Sequence, residues 1–326
     1  MVTTPPTLSP RLVTVFGGGG FIGRSVCEML LKSGVRVRVA QRNAKSAFFL
    51  QPSGGMGQLD IVRADVTNEA SVAAAVAGAD TVINLVAVMG RGMLAINADG
   101  AGTVAKAAAT AGATTLVHIS AIGADPDGAS LYSQSKGKGE AQVRAAFPTA
   151  TIIRPSLVFG AEDQLTNRFA GLMAMLPIYP VIAPGTRFQP VFVRDLARAI
   201  AAAALDPASR RGNIYEIGGP QVMTMRELTA AIGAAANQST GLVDMPDFAA
   251  DLMSRLGFLP MAPLTRDQWI SLQSDNVVGP QARGLADFGI DPMTLATTAP
   301  EWLGRFREGG RFARQPRSRP KSDRAA

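Results

Sequence analysis

From Arg11 to Arg154 the chain alternates short apolar runs with stretches of helical spacing. Arg11–Phe16 is an apolar run that ends in glycines, which predicts a buried strand. Phe21–Ser33 carries Ile22, Val26, Met29 and Leu30 at helical intervals, with Gly34 as its stop. Val35, Val37 and Val39 alternate with Arg36 and Arg38, a second strand, and Leu59–Ala64 is a third. Asn68 can cap a helix running to Ala77, with Glu69 in its first turn. Asp80–Val88 predicts a fourth strand, apolar on both faces, Thr115–Ser120 a fifth and Ala150–Arg154 a sixth, with helices over Asn97–Ala111 and Leu131–Ala146 between them. Near-continuous apolar strands separated by helices imply a parallel sheet covered on both sides.

The rhythm loosens after Pro155. Phe188–Val193 and Asn213–Ile217 read as strands and Arg194–Leu205 and Met225–Ala236 as helices, whereas residues 240–302 show no βα alternation and carry many prolines and methionines. The fold class expected is therefore α/β: an NAD(P)-binding, Rossmann-type, doubly wound parallel sheet with a smaller interleaved C-terminal annex. The expected divisions are a flexible N-terminus over 1–10, a core over 11–220 with an annex insertion at about 156–186, an annex over 221–304, and a basic disordered tail over 305–326.

Charge sharpens that last boundary. The net charge is +7, and residues 305–326 hold eight basic against two acidic residues, so the other 304 residues are nearly neutral. The basicity is that of a tail, which suits an anionic membrane surface or simple solubilisation, and the body offers no basic face for a specific nucleic acid. One cysteine, Cys27, excludes an internal disulfide, and one histidine, His118, excludes a multi-His metal site, so no metal is expected. His118 and Cys27 read as core residues. The methionines, Met173, Met175, Met223, Met225, Met253 and Met261, read as flexible core filler. Phe248, Leu252 and Leu256 fall on one helix face, suited to packing on the annex or to a membrane interface. Residues 1–10 lack the charge and apolar run of a signal peptide, and the charge-free stretch between Arg168 and Arg187 is broken by three prolines, so a cytoplasmic location is expected.

The chemistry begins at Gly17-Gly18-Gly19-Gly20-Phe21-Ile22-Gly23, between the first strand and the first helix. Glycines there allow positive φ and leave room for a pyrophosphate, which the helix N-terminus attracts. NAD-binding folds usually place an acid at the end of the second strand to hold the ribose hydroxyls. Here there is no acid between Leu30 and Leu59, and Gln41, Arg42, Asn43 and Lys45 stand in that region. Arg42 can meet a 2′-phosphate with two N–H groups, so NADP(H) is expected over NAD(H). Asp65 and Val66 follow the third strand and can border the adenine. Tyr132 and Lys136 form Y-x-x-x-K on one helix face. An ammonium beside a phenol lowers the phenol pKa, which suits proton transfer to a carbonyl oxygen.

With these motifs the chain resembles the extended short-chain dehydrogenase/reductase superfamily over about Arg11 to Pro220, including Asn84-Leu85-Val86, Asn97 with Gly102-Thr103, and Arg154-Pro155-Ser156. The resemblance implies that Leu85, Val86, Tyr132 and Lys136 also contact the nucleotide. It implies a catalytic Ser or Thr after the fifth strand, where this chain reads His118-Ile119-Ser120-Ala121. Alanine cannot donate a hydrogen bond, so Ser120, one place earlier, is the remaining candidate and Tyr132 and Lys136 are either catalytic or vestigial. That mixture is similar to an atypical branch, the nucleotide-binding accessory subunits of respiratory complex I and their bacterial relatives. Phe159-Gly160-Ala161-Glu162-Asp163, Gln189-Pro190-Val191-Phe192-Val193, Leu264-Thr265-Arg266-Asp267-Gln268 and Ser274-Asp275-Asn276-Val277-Val278 extend the likeness. The branch implies a nucleotide held structurally, a partner in complex I or another quinone-linked membrane assembly, and a peripheral place on the inner face of the cytoplasmic membrane. The alternative is a reductase or epimerase of a small carbonyl, sugar nucleotide or quinone precursor acting through Tyr132.

Overall fold

The computed structural model describes residues 11–255 and 264–307. The expected N-terminal arm, Leu256, Met261 and residues 308–326 of the tail lie outside the described residues.

Strand β1 (Leu12–Phe16) is wholly buried and leads through the glycine loop into α1 (Phe21–Lys32). β2 (Arg36–Gln41), β3 (Leu59–Arg63), α2 (Glu69–Val76) and β4 (Thr81–Asn84) follow, then α3 (Gly100–Thr110), β5 (Thr115–Ile119), α4 (Leu131–Ala146) and β6 (Thr151–Pro155). The next elements are short: β7 (Val158–Phe159), α5 (Gln164–Met173), β8 (Ile178–Val181), β9 (Arg187–Phe188) and β10 (Val191–Phe192). They precede α6 (Val193–Leu205) and β11 (Ile214–Ile217). β12 (Met223–Thr224), α7 (Met225–Ala235), β13 (Gly241–Asp244), α8 (Asp247–Arg255), α9 (Arg266–Ser271), α10 (Leu295–Thr298) and α11 (Pro300–Leu303) complete the annex.

Seven strands form one parallel sheet in the order β11-β6-β5-β4-β1-β2-β3. β1 lies beside β2 with Leu12 opposite Arg36, and beside β4 with Phe16 opposite Asn84. Both faces are covered, as the apolar strands require. Ile83, Val117 and Ile153 face α1 and α6, while Val82 and Leu116 face α2, α3 and α4. Helix α4 is fastened to the sheet by Arg154, whose Nε and Nη2 donate to the two Glu140 carboxylate oxygens at 2.8 and 2.7 Å, with Glu140 buried.

Two expected strands differ in extent. The fourth stops at Asn84, and residues 85–88 leave the sheet because the Asn84 and Asn97 side chains engage their backbone. Phe188–Val193 divides into β9 and β10 around Gln189-Pro190, since Pro190 has no N–H to donate to a ladder.

The annex has its own core of Phe159, Phe192, Tyr179, Leu228 and Leu303, in which Trp302 stacks on Phe159 and Phe192. A smaller cluster joins Ala183, Ala250, Leu264 and Trp269. Met173 and Met225 fill the annex core, but Met175 is exposed. On α8 Phe248 is 76% exposed and Leu252 63%, so this face does not pack on the annex. Arg305 and Phe306 form the final turn on the annex, where Arg305 donates to Asn167 at 2.7 Å. Among the described residues no helix is long and apolar enough to cross a membrane.

Candidate functional site

The glycine loop follows β1 in a tight turn. Gly17 has φ +79°, and Gly20 N–H donates back to the Gly17 carbonyl at 3.0 Å. A Cβ on Gly23 would lie 2.2 Å from the Gly17 carbonyl oxygen, so the first turn of α1 can approach the loop this closely only without a side chain. Gly20, the N-cap residue, supplies no side chain to cap α1. Uncapped N–H groups at the positive end of a helix dipole suit a phosphate.

Beside the loop lies a cavity of about 570 Å³. The structure brings Gly17, Gly19, Gly20, Arg42, Asp65, Val66, Leu85 and Val86 to its walls. Gly18, Phe21, Ile22 and Gly23 stand behind it. Gly18 faces Cys27, while Phe21 and Ile22 pack against the annex core. These four residues shape the loop without lining the cavity. The cavity beside the loop and the uncapped start of α1 fit a dinucleotide.

Gln41, at the end of β2, orders the rim. Its Oε1 accepts from Gly19 N at 2.8 Å, and its Nε2 donates to Asn43 O and Ser46 Oγ. Arg42 is exposed beside it. Asp65 accepts from the backbone and hydroxyl of Thr67, which hold its carboxyl below the usual range. Asp65 thus both starts the turn before α2 and lines the cavity.

Tyr132, Lys136 and Ser120 are not among the residues lining that cavity. Lys136 is fully buried, and its Nζ donates to the Ile119 carbonyl at 2.7 Å. Burial pulls its pKa down to about 8, against an opposing pull from Glu140. The expected lowering of the Tyr132 pKa is reversed. Burial pushes the phenol up, with no offsetting contribution from Lys136, whose ammonium is engaged by the Ile119 carbonyl. Ser120 is buried, its Oγ without a hydrogen-bond partner among the described residues. His118 is a core residue, as its setting predicts. Its Nδ1 lies 3.3 Å from Asn84 Nδ2, and burial, assisted by Lys136, holds it neutral.

Three positioning residues are not legible from local pattern alone. Asn97 sits in a π-helical turn over residues 94–99 and fixes the cavity wall, accepting from Val88 N and donating to Val88 O and Ser135 Oγ. Asp267 and Asn276, from the annex, meet the helix of Tyr132 and the ends of β5 and β6. Their motifs were visible in the chain, but their partners lie over a hundred residues away. Among the described residues there is no cluster of His, Cys, Asp and Glu able to hold a metal.

A family described as NAD(P)H-binding matches residues 17–169, and one described as RmlD substrate binding domain matches residues 121–246. The NADH dehydrogenase [ubiquinone] 1 alpha subcomplex subunit 9 of Arabidopsis thaliana mitochondria is 32% identical over 324 residues, covering 93% of this chain and 80% of that one. A ceramide reductase of Caulobacter vibrioides is 30% identical over 200 residues, covering 60% of this chain and 62% of that one. An NADPH-dependent quinone oxidoreductase from Escherichia coli, solved with NADPH, superposes with a TM-score of 0.72 at 19% identity. It covers 89% of this chain and 99% of that one, a likeness of fold.

Proposed function

We propose that this chain, which belongs to the atypical short-chain dehydrogenase/reductase family of the complex I alpha subcomplex subunit 9, holds NADP(H) as a structural ligand. In this reading it serves as an accessory or assembly subunit of a respiratory NADH–quinone oxidoreductase, docked peripherally at the inner face of the cytoplasmic membrane. One observation carries it: the two ends of the site differ. The phosphate end is an open glycine cradle with Arg42 at its rim. At the reacting end Lys136 is engaged by a backbone carbonyl, Tyr132 is harder to ionise than a free phenol, and Ala121 stands where a hydroxyl is needed.

The roles divide along the chain. Gly17, Gly19 and Gly20 would leave room for the pyrophosphate against the free N–H groups at the start of α1, and Arg42 would hold the 2′-phosphate. Val66, Leu85 and Val86 would enclose the adenine in an apolar wall. A bound nicotinamide supplies hydride chemistry, but in this reading the chain uses the group to hold itself together. Native purification tests the proposal, with identification of the bound nucleotide and of co-purifying chains. NADP(H) together with subunits of a quinone-linked assembly is expected. An empty protein, or one free of such partners after gentle fractionation, refutes it.

A second reading is favoured by Ser120, whose buried Oγ has no partner among the described residues, and by the Caulobacter relative's name. Tyr132 would then protonate a carbonyl substrate. Turnover of NADPH with a ketone of the ceramide class, a small carbonyl or a quinone precursor supports this reading, and silence across that panel refutes it.

A further inference from the structure

The first turn of α4 is where the annex reaches the Tyr132 helix. The first four N–H groups of a helix have no partner within it. Here three of them, at positions 131–133, are met by side chains. Leu131 N donates to Asp267 Oδ1 at 2.6 Å and Tyr132 N to Asp267 Oδ2 at 3.3 Å. Ser133 N donates to Ser130 Oγ at 3.0 Å, and Gln134 N opens the helical ladder by donating to Ser130 O at 3.0 Å. Two of these three bonds therefore come from a carboxylate in the annex, whose charge also suits the helix dipole.

Asp267 is held firmly. It lies in α9, which a reciprocal cap between Thr265 and Gln268 closes, and its neighbour Trp269 is buried in the small annex cluster. A second tie comes from Asn276. Its Nδ2 donates to Ile122 O at 3.2 Å, its Oδ1 and backbone O each accept from Ser156 Oγ at 2.8 Å, and its N donates to Arg187 O at 2.8 Å. Ile122 lies just beyond β5 and Ser156 directly follows β6. The annex thus grips the carboxyl edge of the sheet, where parallel α/β sheets bind their ligands.

We infer that Asp267 and Asn276 form a latch through which nucleotide occupancy sets the order of the annex, an inference that rests on the nucleotide-binding reading above. Val88 lines the cavity, and Asn97 ties it to Ser135 Oγ of α4, so a nucleotide that orders this wall and the Asp267 cap both order the same helix. Whichever comes first has already met part of the ordering cost of the other, so each strengthens the other. Linkage makes the effect reciprocal: an annex held by a partner tightens the nucleotide, and the nucleotide readies the annex for its partner.

Hydrogen–deuterium exchange on the full chain, stripped of nucleotide and then saturated with NADPH, tests the latch. In the wild type, loading is expected to slow exchange in the first turn of α4, in α9 and across 274–278. Asp267→Ala is expected to bind NADPH up to roughly fivefold more weakly, the value of one lost helix cap, and to leave α9 unprotected on loading. Asp267→Asn keeps an acceptor and restores the protection, which a merely destabilising change would not do. Should Asp267→Ala fail to fold, Asn276→Ala, which removes only the side-chain ties to Ile122 and Ser156, gives the same comparison. A loaded wild type with α9 and 274–278 unchanged, or an alanine variant with wild-type affinity and protection, overturns the latch and leaves nucleotide binding intact. A wild type that takes up neither NADPH nor NADH overturns the nucleotide reading, and the latch with it.

Discussion

Lys136 shows what burial does to a charge that the fold needs. Its pKa falls to about 8 from the 10.5 of an exposed lysine. Between those values the unfolded chain keeps a proton that the folded chain has released, so this residue makes stability rise with pH across that window. Urea unfolding of the nucleotide-free protein should show wild type gaining roughly 1 to 3 kcal/mol on Lys136→Met between pH 8 and 10.5. A constant difference would mean that Lys136 titrates normally. Arg42 acts at the other end of the site. Arg42→Glu replaces a cation at the cavity rim with a charge that repels a 2′-phosphate, and calorimetry should find NADPH affinity lowered tenfold or more with NADH little changed. Equal losses for both would take Arg42 out of nucleotide selection. At this scale the glycine loop was legible because its constraint is local: Gly23 is needed by atoms only five and six residues away. The Tyr132 pKa was not, because a spacing of four places two side chains on one face without saying that a carbonyl would engage the lysine.

Among the elements, α4 carries more than its own stability. It bears Tyr132 and Lys136, meets the annex at its first turn, and is bound to β6 by Arg154 and Glu140. Glu140→Gln removes the two-point partner of Arg154 and leaves its guanidinium paired with Glu216, which should cost about 1.5 to 3 kcal/mol. The double change with Arg154→Met should recover part of that loss in denaturant titration, and no recovery would mean that the pair is not the source. Helices and strands with full apolar periodicity were readable, because the sheet buries both of its faces. The two-residue strands β7, β9, β10 and β12 were not resolved as separate elements by pattern, since a stretch that short has no period. The π-helical turn at 94–99 was also hidden, as it depends on Asn97 holding Val88 and on Gly139 of α4, where a Cβ would meet the Asn97 carbonyl oxygen at 2.3 Å.

The molecule as a whole is a sheet domain and an annex joined at the sheet's carboxyl edge. Nucleotide at a hundred times its dissociation constant should add roughly 2.7 kcal/mol, raising the melting temperature by about 4 °C. A melting temperature that does not move with NADPH would argue against a structural ligand. The division into core and annex was foreseeable from where the βα rhythm stops, but not how the two parts meet, because Asp267 and Asn276 act on partners that no local window contains. The chain has two tryptophans, Trp269 next to the latch and Trp302 in the aromatic stack, and both belong to the annex. Indole emission therefore reports on the annex. A change in its colour when NADP⁺ is mixed in a stopped-flow cell would clock, in real time, the annex answering an event in the glycine loop.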